Sequence, residues 1–305
     1  MRSIASYIKE PRAIGRSILR YCRCLLPDKY FVKYMYFMQT GKRLNLNNPR
    51  SFSEKLQWLK LYNRRPEYTT MVDKYAVKEY VAKIIGQEYI IPTLGIWDSP
   101  EEIDWDSLPQ QFVLKTTQGG GSKGVVICTN KDNIDRRAVV SKLKAAMQFD
   151  LNRNLGEWPY KYVRRRIIAE QYLEECNNIG NDTHLHDLTD YKILCFHGIP
   201  RFCLVVSDRR RGKYIDFFDN EWNHLPFHCA YYQHSPKKPE KPENYKEMLE
   251  LSTKLSSGHP HVRVDFYEVN GKVYFGEFTF FTVSGYNTIN PEEWDIKLGS
   301  YIQLR

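Results

Sequence analysis

A glycine-rich segment between two short apolar runs most constrains what this chain can fold into. Residues 118–124 follow the run 112–115 and precede the run 125–129. Apolar runs of this length are typical of strands, and a glycine-rich connection between them predicts a hairpin. Backbone N–H groups of such a loop can close over phosphates, with Ser122 and Lys123 at its tip. A glycine-rich turn that binds nothing is the alternative when the loop is taken alone.

The context of this loop separates it from three better-known phosphate loops. Gly119, Gly121 and Gly124 have the spacing of a dinucleotide-binding loop, but such a loop opens a helix, whereas Val125 starts a strand. A P-loop would carry Lys and then Ser or Thr directly after its last glycine. A protein-kinase loop precedes its strand lysine, whereas Lys115 comes before this loop. The context therefore excludes all three classes.

Two apolar runs near the C-terminus each carry one acidic residue. Residues 262–267 contain Asp265, residues 272–280 contain Glu277, and the Asn270-Gly271 pair between them is a strong hairpin signal. The two carboxylates then face each other across the ladder, where they can share Mg²⁺ ions that also hold nucleotide phosphates. A cross-strand pair of surface acids is the alternative.

Side-chain alternation adds two residues to this pair. Residues two apart share one face of a strand, so Arg263 lies beside Asp265, and Thr279 lies beside Glu277. An arginine in that place can stabilise the charge of a transferring phosphoryl group.

The net charge of the chain is concentrated at its N-terminus. The 305 residues include 45 Lys and Arg against 36 Asp and Glu, a formal net charge of +9. Residues 1–50 alone hold 11 basic and 2 acidic residues, so the remaining 255 are neutral overall. A protein that grips nucleic acid carries its basic face on the folded domain, and we therefore expect no nucleic-acid partner.

The N-terminal segment itself has an amphipathic pattern. Residues 3–26 place apolar residues at intervals of three and four, with four arginines on another face and an interruption at Pro11. Such a helix either lies in the plane of an anionic membrane or packs its apolar stripe on the protein itself. No stretch approaches the roughly 18 apolar residues of a spanning helix, and no apolar signal-peptide core is present. We expect a cytoplasmic protein, peripheral on the inner face of the cell membrane under the first alternative.

The cysteines and histidines give weaker signals. Seven cysteines without a Cys-x-x-Cys pair argue against a disulfide framework or a zinc ribbon. His224, His228, Cys229 and His234 form a group with ligand-like spacing, but Pro226 and flanking aromatic residues disfavour a regular ligand helix. Ordinary polar or core histidines are the favoured interpretation.

The order of predicted elements favours an α+β fold with mostly antiparallel sheets. Helical spacing of apolar residues predicts helices over residues 51–62, 71–85, 134–149 and 245–255. Short or alternating apolar runs predict extended segments over residues 89–97, 112–115, 125–129, 166–173, 190–196, 201–206, 213–217, 262–267 and 272–280.

Several separated blocks, in a fixed order, carry a family resemblance. The blocks are residues 48–55 (NPRSFSEK), 73–78 (DKYAVK), 108–115 (LPQQFVLK), 190–192 (DYK) and 291–299 (PEEWDIKLG), beside the glycine loop and the two acidic strands. With them the chain resembles the ATP-grasp enzymes. Over residues 44–298 it looks most like the TupA-like ATP-grasp family, which is found in bacterial surface-polysaccharide gene clusters.

The resemblance implies an ATP-grasp fold that holds its nucleotide between two α+β lobes, with a basic helical N-terminal extension. The implied divisions are a basic amphipathic segment (1–50), a helical N-terminal subdomain (51–110), a first lobe with the glycine-rich loop (111–172) and a second lobe with the metal-binding strands (173–305).

The resemblance also implies the roles of individual residues, with ATP and Mg²⁺, or Mn²⁺ in its place, as cofactors. Arg263 and Lys115 would be catalytic. Asp265, Glu277 and Thr279 would hold the metal; many ATP-grasp enzymes have Asn where this chain has Thr279, and Asn287 is the alternative third ligand. The nucleotide would be contacted by Lys74, Lys115, Gly119, Gly120, Gly121, Ser122, Lys123, by the hinge residues Glu170, Gln171, Tyr172 and Leu173, and by Glu175 and Lys192.

ATP-grasp chemistry implies that ATP phosphorylates a carboxylate and that an amine attacks the acyl phosphate, which gives an amide, ADP and phosphate. We therefore expect an ADP-forming carboxylate–amine ligase that joins an amino acid or amine to a small-molecule or glycan acceptor, such as a lipid-linked precursor of a capsule or other surface polysaccharide. A glycan or sugar kinase of the same fold is one alternative. A glycosyltransferase is another, although its Asp-x-Asp motif is matched only by Asp104 and Asp106 in an acidic linker.

Overall fold

The computed structural model describes residues 11–121, 123–174, 188–207, 214–229 and 232–304. Within these residues the chain forms α-helices and antiparallel sheets, so the predicted α+β class is confirmed. The helices are α1 (Pro11–Tyr21), α2 (Asp28–Thr40), α3 (Phe52–Tyr62), α4 (Glu67–Val72), α5 (Ala76–Ile85), α6 (Arg136–Met147), α7 (Leu151–Leu155), α8 (Tyr245–Ser256) and α9 (Glu292–Ser300). Short 3₁₀ turns occupy Cys22–Leu25, Gln87–Tyr89, Pro100–Glu102, Lys131–Asn133, Trp158–Tyr162 and Thr282–Gly285.

Helix α3 begins at a capping box. The Ser51 hydroxyl accepts a hydrogen bond from the Glu54 N–H at 3.2 Å, and the Glu54 carboxylate accepts one from the Ser51 N–H at 3.2 Å. Both bonds satisfy backbone donors that a helix start leaves unpaired, which explains why the predicted boundary is correct.

The single helix predicted over residues 71–85 is wrong, because the chain breaks between α4 and α5. The Asp73 carboxylate accepts hydrogen bonds from the N–H groups of Tyr75 at 2.9 Å and Ala76 at 3.2 Å. An aspartate that bonds its own downstream backbone competes with helical hydrogen bonding and favours a helix start. The break places Lys74 on the wall of a large cleft.

The first lobe is built on a four-stranded antiparallel sheet with the spatial order β1-β4-β2-β3, made of β1 (Thr93–Trp97), β2 (Phe112–Thr116), β3 (Val125–Cys128) and β4 (Ile167–Gln171). β2 and β3 pair directly, so the hairpin predicted around the glycines is confirmed. Phe112 and Leu114 are buried in a core shared with α6, and the alternation turns Val113 and Lys115 to the cleft. Since β1 pairs with β4, this sheet starts before residue 111.

The second lobe is built on a five-stranded antiparallel sheet with the order β10-β9-β5-β6-β7, made of β5 (Asp190–Phe196), β6 (Ile199–Ser207), β7 (Tyr214–Phe218), β9 (His261–Val269) and β10 (Lys272–Thr279). α8 buries Tyr245, Met248 and Leu251 in the main core, which this sheet shares with α3, α4 and α5. A small two-stranded sheet joins β8 (His228–Cys229) to β11 (Ile289–Asn290).

The last helix packs on the start of α3. The Asp295 carboxylate accepts hydrogen bonds from the Ser53 N–H at 3.0 Å and the Ser53 hydroxyl at 2.8 Å. A Cβ atom on Gly299 would lie 2.3 Å from the Arg50 carbonyl oxygen, so only glycine permits this close approach of the two backbones. None of the described helices has the length and apolar character needed to cross a bilayer.

Candidate functional site

A cleft of about 880 Å³ separates the two lobes and collects most of the residues that the sequence singled out. The first sheet contributes the exposed face of β2, β3 and β4, and the second sheet contributes β5, β9 and β10. The predicted residues that line the cleft are Lys74, Lys115, Gly120, Gly121, Glu170, Gln171, Tyr172, Leu173, Lys192, Arg263, Asp265, Glu277 and Thr279.

Asp265 and Glu277 are direct partners across the β9–β10 ladder, as predicted. A bulge lies between Phe275 and Glu277, and a Cβ on Gly276 would lie 3.2 Å from the Asp265 carbonyl oxygen. A bulge changes which face the next residue occupies, so it turns the Glu277 carboxylate into the cleft. Lys192 on β5 is the register partner of Asp265 on the other side. Three adjacent strands therefore present a row of charged side chains.

Three cations bind these two carboxylates. Arg263 donates two hydrogen bonds to Asp265, both at 2.7 Å, and lies 3.4 Å from a Glu277 oxygen. The ammonium of Lys192 contacts Asp265 and also lies 3.2 Å from Asp190. Lys74, which comes from the break between α4 and α5, reaches Glu277 at 2.7 Å. The charges of the row are thus balanced by side chains from both halves of the chain.

The pKa values follow from burial and from these partners. Burial alone would raise the pKa of Glu277, but the charges of Lys74, Lys192 and Arg263 outweigh it and hold the pKa well below its usual value. Burial lowers the pKa of Lys192 in spite of the favourable charge of Asp265. A lowered pKa keeps Glu277 ionised near neutral pH, as a metal site requires of its carboxylates.

A second carboxylate, Glu170, lies on the opposite wall of the cleft. Its oxygens contact the ammonium groups of Lys78 at 2.6 Å and Lys115 at 2.5 Å. Burial opposes the ionised form, yet the two lysines lower the pKa of Glu170 to about 2. The sequence placed Glu170 in a hinge at the end of the strand, whereas it lies inside β4 and orients the strand lysine Lys115.

Lys78 is a cleft residue to which the sequence analysis gave no role. Its ammonium also donates to the Ile91 carbonyl oxygen at 2.6 Å, so it is held at the same place by two acceptors. Burial lowers its pKa, and Glu170 opposes this shift. Its place within the block 73–78, which also contains Lys74, was the available signal.

The glycine loop is tied to β2 through Thr116. The Thr116 N–H donates to the Gly124 carbonyl oxygen at 3.0 Å, and the Gly119 N–H donates to the Thr116 carbonyl oxygen at 3.3 Å. Cβ atoms on Gly119 and Gly124 would lie 2.4 and 2.3 Å from the Thr116 hydroxyl, so side chains do not fit there. Gly120 and Gly121 line the cleft, and Gly121 has φ +70°. Backbone N–H groups at the loop tip are thus free of side-chain cover, as phosphate binding needs.

Five of the predicted residues do not line the cleft or lie outside the described residues, namely Gly119, Ser122, Lys123, Glu175 and Asn287. The ammonium of Lys123 lies 5.4 Å from the centre of the Phe149 ring. Asn287, the alternative metal ligand, lines a separate small pocket beside α3 and β11. Ser122 and Glu175 lie outside the described residues.

The turn after β10 is the most strained part of the cleft. Val283 and Ser284 both have left-handed backbones, with φ +49° and +55°, which is rare for any residue other than glycine and more so for a β-branched one. The buried Lys60 donates to the Ser284 carbonyl oxygen at 2.7 Å, and Gln57 donates to the same oxygen at 3.0 Å. Helix α3 therefore holds this turn in an unfavourable conformation.

A buried acid stands beside the strained turn and was missed by the sequence analysis. Glu157 accepts a hydrogen bond from the Ser284 hydroxyl at 2.5 Å, and burial raises its pKa although Lys60 opposes the shift. Thr282 is 8% exposed, and its hydroxyl has no hydrogen-bond partner among the described residues. Glu157, Thr282 and Ser284 all line the cleft, so this end offers polar groups that a substrate can use.

The chemistry of the donor set fits a hard divalent cation at Asp265 and Glu277. Both groups are carboxylates, they are adjacent across the ladder, and the Thr279 hydroxyl shares the face of Glu277. A metal ion can displace the Lys74 ammonium from Glu277, since a lysine side chain is flexible and lacks the fixed fork geometry of an arginine.

Among the histidines, Asp216 rather than Cys229 joins His224 and His234. The carboxylate of buried Asp216 lies 2.8 Å from His224 Nε2 and 3.1 Å from His234 Nδ1, and the Ser235 N–H also donates to it. These hydrogen bonds fasten His224, His234 and Ser235 to the edge strand β7. The carboxylate oxygen and the two ring nitrogens lie within 4.8 Å of one another, which is also the spacing of a three-ligand metal site, so the interpretation as ordinary polar histidines stays a prediction.

Two lobes around a cleft, a glycine hairpin on one wall and a cation-bound pair of strand carboxylates on the other are the features of the ATP-grasp fold. Residues 54–303 match the model of the family described as TupA-like ATPgrasp. The chain belongs to this family, as the resemblance implied.

Solved ATP-grasp structures are similar to this chain only distantly. D-alanine-D-alanine ligase from Helicobacter pylori is 16% identical over 83% of this chain, with a TM-score of 0.40. The D-alanine-D-alanine ligase from Bacillus anthracis is 16% identical over 69%, also at 0.40, and D-alanyl-alanine synthetase A from Vibrio cholerae is 11% identical over 82%, at 0.42. The chain spans 69%, 57% and 72% of these three proteins. No curated protein matches the chain significantly.

Proposed function

We propose that this protein is an ATP-dependent carboxylate–amine ligase that acts through an acyl phosphate and modifies a bacterial surface polysaccharide or its precursor with an amino acid or amine. The observation that carries the proposal is the row formed by Lys192, Asp265 and Glu277 across three strands, with Arg263 and Lys74 against it. Membership of the ATP-grasp family supports ATP as the nucleotide that binds here. The row of charged side chains supplies the charges that phosphoryl transfer needs.

In this proposal ATP is a substrate and its phosphates lie between the two walls. Lys115, Lys74 and Lys192 bind phosphate oxygens, and the N–H groups of Gly120 and Gly121 cover them. Mg²⁺ held by Asp265 and Glu277, with Thr279 as a third oxygen, would neutralise phosphate charge and bring the terminal phosphoryl group into line. Arg263 lies beside these acids and stabilises charge on the phosphoryl group as it moves to the acceptor carboxylate.

The carboxylate and the amine then meet at the Glu157 end of the cleft. The acceptor carboxylate gains the phosphoryl group and ADP leaves; the amine nitrogen next forms the C–N bond, and phosphate leaves with the acyl C–O bond broken. Glu157 has a raised pKa and faces the cleft, which suits a group that takes the proton lost by the amine. The Thr282 hydroxyl, which has no hydrogen-bond partner in the described part of the chain, can donate to a sugar or carboxylate oxygen.

The experiment is ATP consumption by the purified full chain with Mg²⁺, against a panel of amino acids and uronic-acid or polysaccharide acceptors. Both released phosphate and product mass are followed. An amide product with stoichiometric phosphate, lost in Asp265→Asn and Glu277→Gln, is the expected result. Asp106→Asn is the matched control, because Asp106 is an exposed acid of the linker and its side chain is 96% exposed.

Two outcomes would contradict the proposal. An acceptor that gains a phosphoryl group without free phosphate identifies the protein as a kinase of the same fold. Loss of activity in Asp106→Asn, with a nucleotide-sugar as the bound substrate, identifies a glycosyltransferase and removes the role given to the cleft carboxylates.

A further inference from the structure

The α1–α2 hairpin presents an apolar surface to solvent on the side away from the protein body. Along α1 and the turn after it, Ile14, Ile18, Tyr21 and Leu25 are 44%, 58%, 80% and 78% exposed. On α2, Tyr30, Tyr34 and Phe37 are 53%, 51% and 39% exposed. Both sets recur at intervals of three or four residues, so each forms a stripe along its helix. We call the two stripes together the hairpin face.

The two stripes lie side by side because the helices run antiparallel. A Cβ on Gly15 would lie 2.8 Å from the Met38 sulfur, and the Arg12 guanidinium lies 5.8 Å from the centre of the Phe37 ring. At the other end the Arg23 guanidinium lies 4.4 Å from the centre of the Phe31 ring. Ile14 is thus level with Phe37, and Tyr21 is level with Tyr30. One continuous apolar face results, which is larger than scattered surface residues produce.

Three of the four arginines in α1 and the turn after it bind groups of the protein, whereas Arg12 is exposed. Arg16 donates to the Met38 carbonyl oxygen at 3.3 Å, Arg20 donates to the Asn154 carbonyl oxygen at 3.3 Å, and Arg23 contacts Asp28. Of the apolar residues, Ala13 is buried and Leu19 packs on the core of α2. The alternative in which the apolar stripe packs on the protein itself does not hold at Ile14, Ile18 and Leu25, which are exposed. Residues 3–10 of the predicted stripe lie outside the described residues.

The charge around the hairpin face determines what can cover it. Residues 1–50 carry 11 basic and 2 acidic residues. One of the acids, Asp28, is already bound by Arg23 and by Arg64 at 2.5 Å. Arg12 and Lys29 are exposed at opposite ends of the hairpin. Apolar and tyrosine side chains beside the exposed cations Arg12 and Lys29 fit the boundary between anionic headgroups and acyl chains.

We propose that the hairpin face docks on an anionic lipid surface. Docking itself does not depend on the proposed function. The hairpin also rests on α7 through Arg20, and Leu151 at the start of α7 lines the cleft. If the proposed function holds, docking brings the cleft close to a lipid-linked acceptor.

Vesicle cosedimentation of the full chain tests the docking. Wild type should pellet with phosphatidylcholine vesicles that contain about 30% phosphatidylglycerol, far less with phosphatidylcholine alone, and less at about 0.5 M salt. Ile18→Ser combined with Leu25→Ser should lower the partition coefficient at least about tenfold, because two apolar side chains no longer enter the membrane. Arg12→Glu with Lys29→Glu should lower binding to the anionic vesicles only.

The control is Ile199→Ser, which removes an isoleucine that is 48% exposed on β6 in the other lobe and should change nothing. Thermal unfolding of each variant confirms that the fold is kept, and ATP turnover in the absence of vesicles should equal that of wild type. Docking is disproved if wild type stays in the supernatant, if the apolar variant binds as wild type does, or if neutral and anionic vesicles bind equally. A dimer by gel filtration that Ile18→Ser breaks, without vesicle binding, would make the face a contact between copies instead.

Discussion

Glu170 and Glu277 are two glutamates on opposite walls of one cleft. They differ in how cations and solvent surround their carboxylates. Glu170 is buried, and each of its oxygens contacts a lysine, Lys115 on the same sheet and Lys78 on α5. Glu277 has about a third of its side chain exposed (32%), and one of its partners, Arg263, lies at 3.4 Å. A carboxylate that is fully enclosed by its own cations positions them, whereas a partly open one remains available as a ligand.

The largest expected effect comes from removing the charge of the partly exposed carboxylate, Glu277. Glu277→Gln keeps the shape of the side chain but removes the charge that a metal ligand needs, so ATP turnover should fall about 10³-fold or more. The fold should persist, because the open side chain is partly solvated. Turnover and thermal unfolding measured side by side check this. A variant that keeps turnover within a few fold of wild type would remove Glu277 from the metal site.

Substitution of the enclosed carboxylate, Glu170, should mainly weaken ATP binding and lower the free energy of unfolding. Glu170→Gln leaves Lys78 and Lys115 without their shared carboxylate, and removal of one member of a buried ion cluster costs about 3 kcal/mol. We expect a lower urea midpoint and an ATP KM about tenfold higher, with a smaller loss in kcat. Lys78→Met is the matched comparison, since Lys78 also holds the Ile91 carbonyl oxygen. Equal kcat losses in Glu170→Gln and Glu277→Gln would mean that the two walls do not differ as described.

Acid titration measures the enclosed carboxylate directly. The pKa of Glu170 is lowered to about 2 in the folded chain, so its contribution to stability is present above its ordinary pKa and is lost as the pH falls toward 2. The difference corresponds to roughly 3 kcal/mol. Urea unfolding between pH 5 and the lowest pH at which the chain folds should show a steeper loss in wild type than in Glu170→Gln. Parallel curves for the two proteins would contradict the ion-pair assignment.

The smallest expected effect concerns Thr279, the proposed third metal ligand beside Glu277. Thr279→Asn introduces an amide oxygen, a better ligand for a hard cation than a hydroxyl, and should lower the Mg²⁺ concentration for half-maximal turnover several-fold. Thr279→Val should raise it. Asn287→Ala should leave it unchanged, because Asn287 lines a different pocket. If Asn287→Ala changed the Mg²⁺ requirement and the Thr279 variants did not, Asn287 would be the third ligand instead.

The sequence predicted the strands because they depend on local patterns of apolar residues. The Asn270-Gly271 turn with regular alternation would pair Asp265 with Gly276, and the bulge between Phe275 and Glu277 shifts the register by one residue, so that Glu277 becomes the partner. The facing carboxylates were therefore predicted, but the bulge that brings them together was not. The family blocks carried the rest of the fold class.

Local sequence patterns could not predict contacts between segments that are far apart in the chain. Lys78 reaches Glu170 across 92 positions of the chain and Lys60 reaches Ser284 across 224, and nothing local marks either lysine as buried or paired. The break at Asp73 was missed because the apolar spacing continues through it, while one side-chain hydrogen bond decides the backbone. The inward contacts of Arg16, Arg20 and Arg23 were missed because a helical pattern separates two faces without indicating which one the protein body will cover.

The contact between α9 and the start of α3 has a consequence for synthesis. Ser53 is bonded to Asp295, and Gly299 touches the backbone at residues 50–52, so the first turn of α3 is completed by a segment that leaves the ribosome roughly 240 residues later. At typical elongation rates of about 5 to 20 residues per second, α3 waits for that partner for on the order of ten seconds or more. Until then the start of α3 lacks this cover, although Trp58 and Leu61 can already pack on α2. Chaperones ordinarily protect such uncovered segments of a nascent chain.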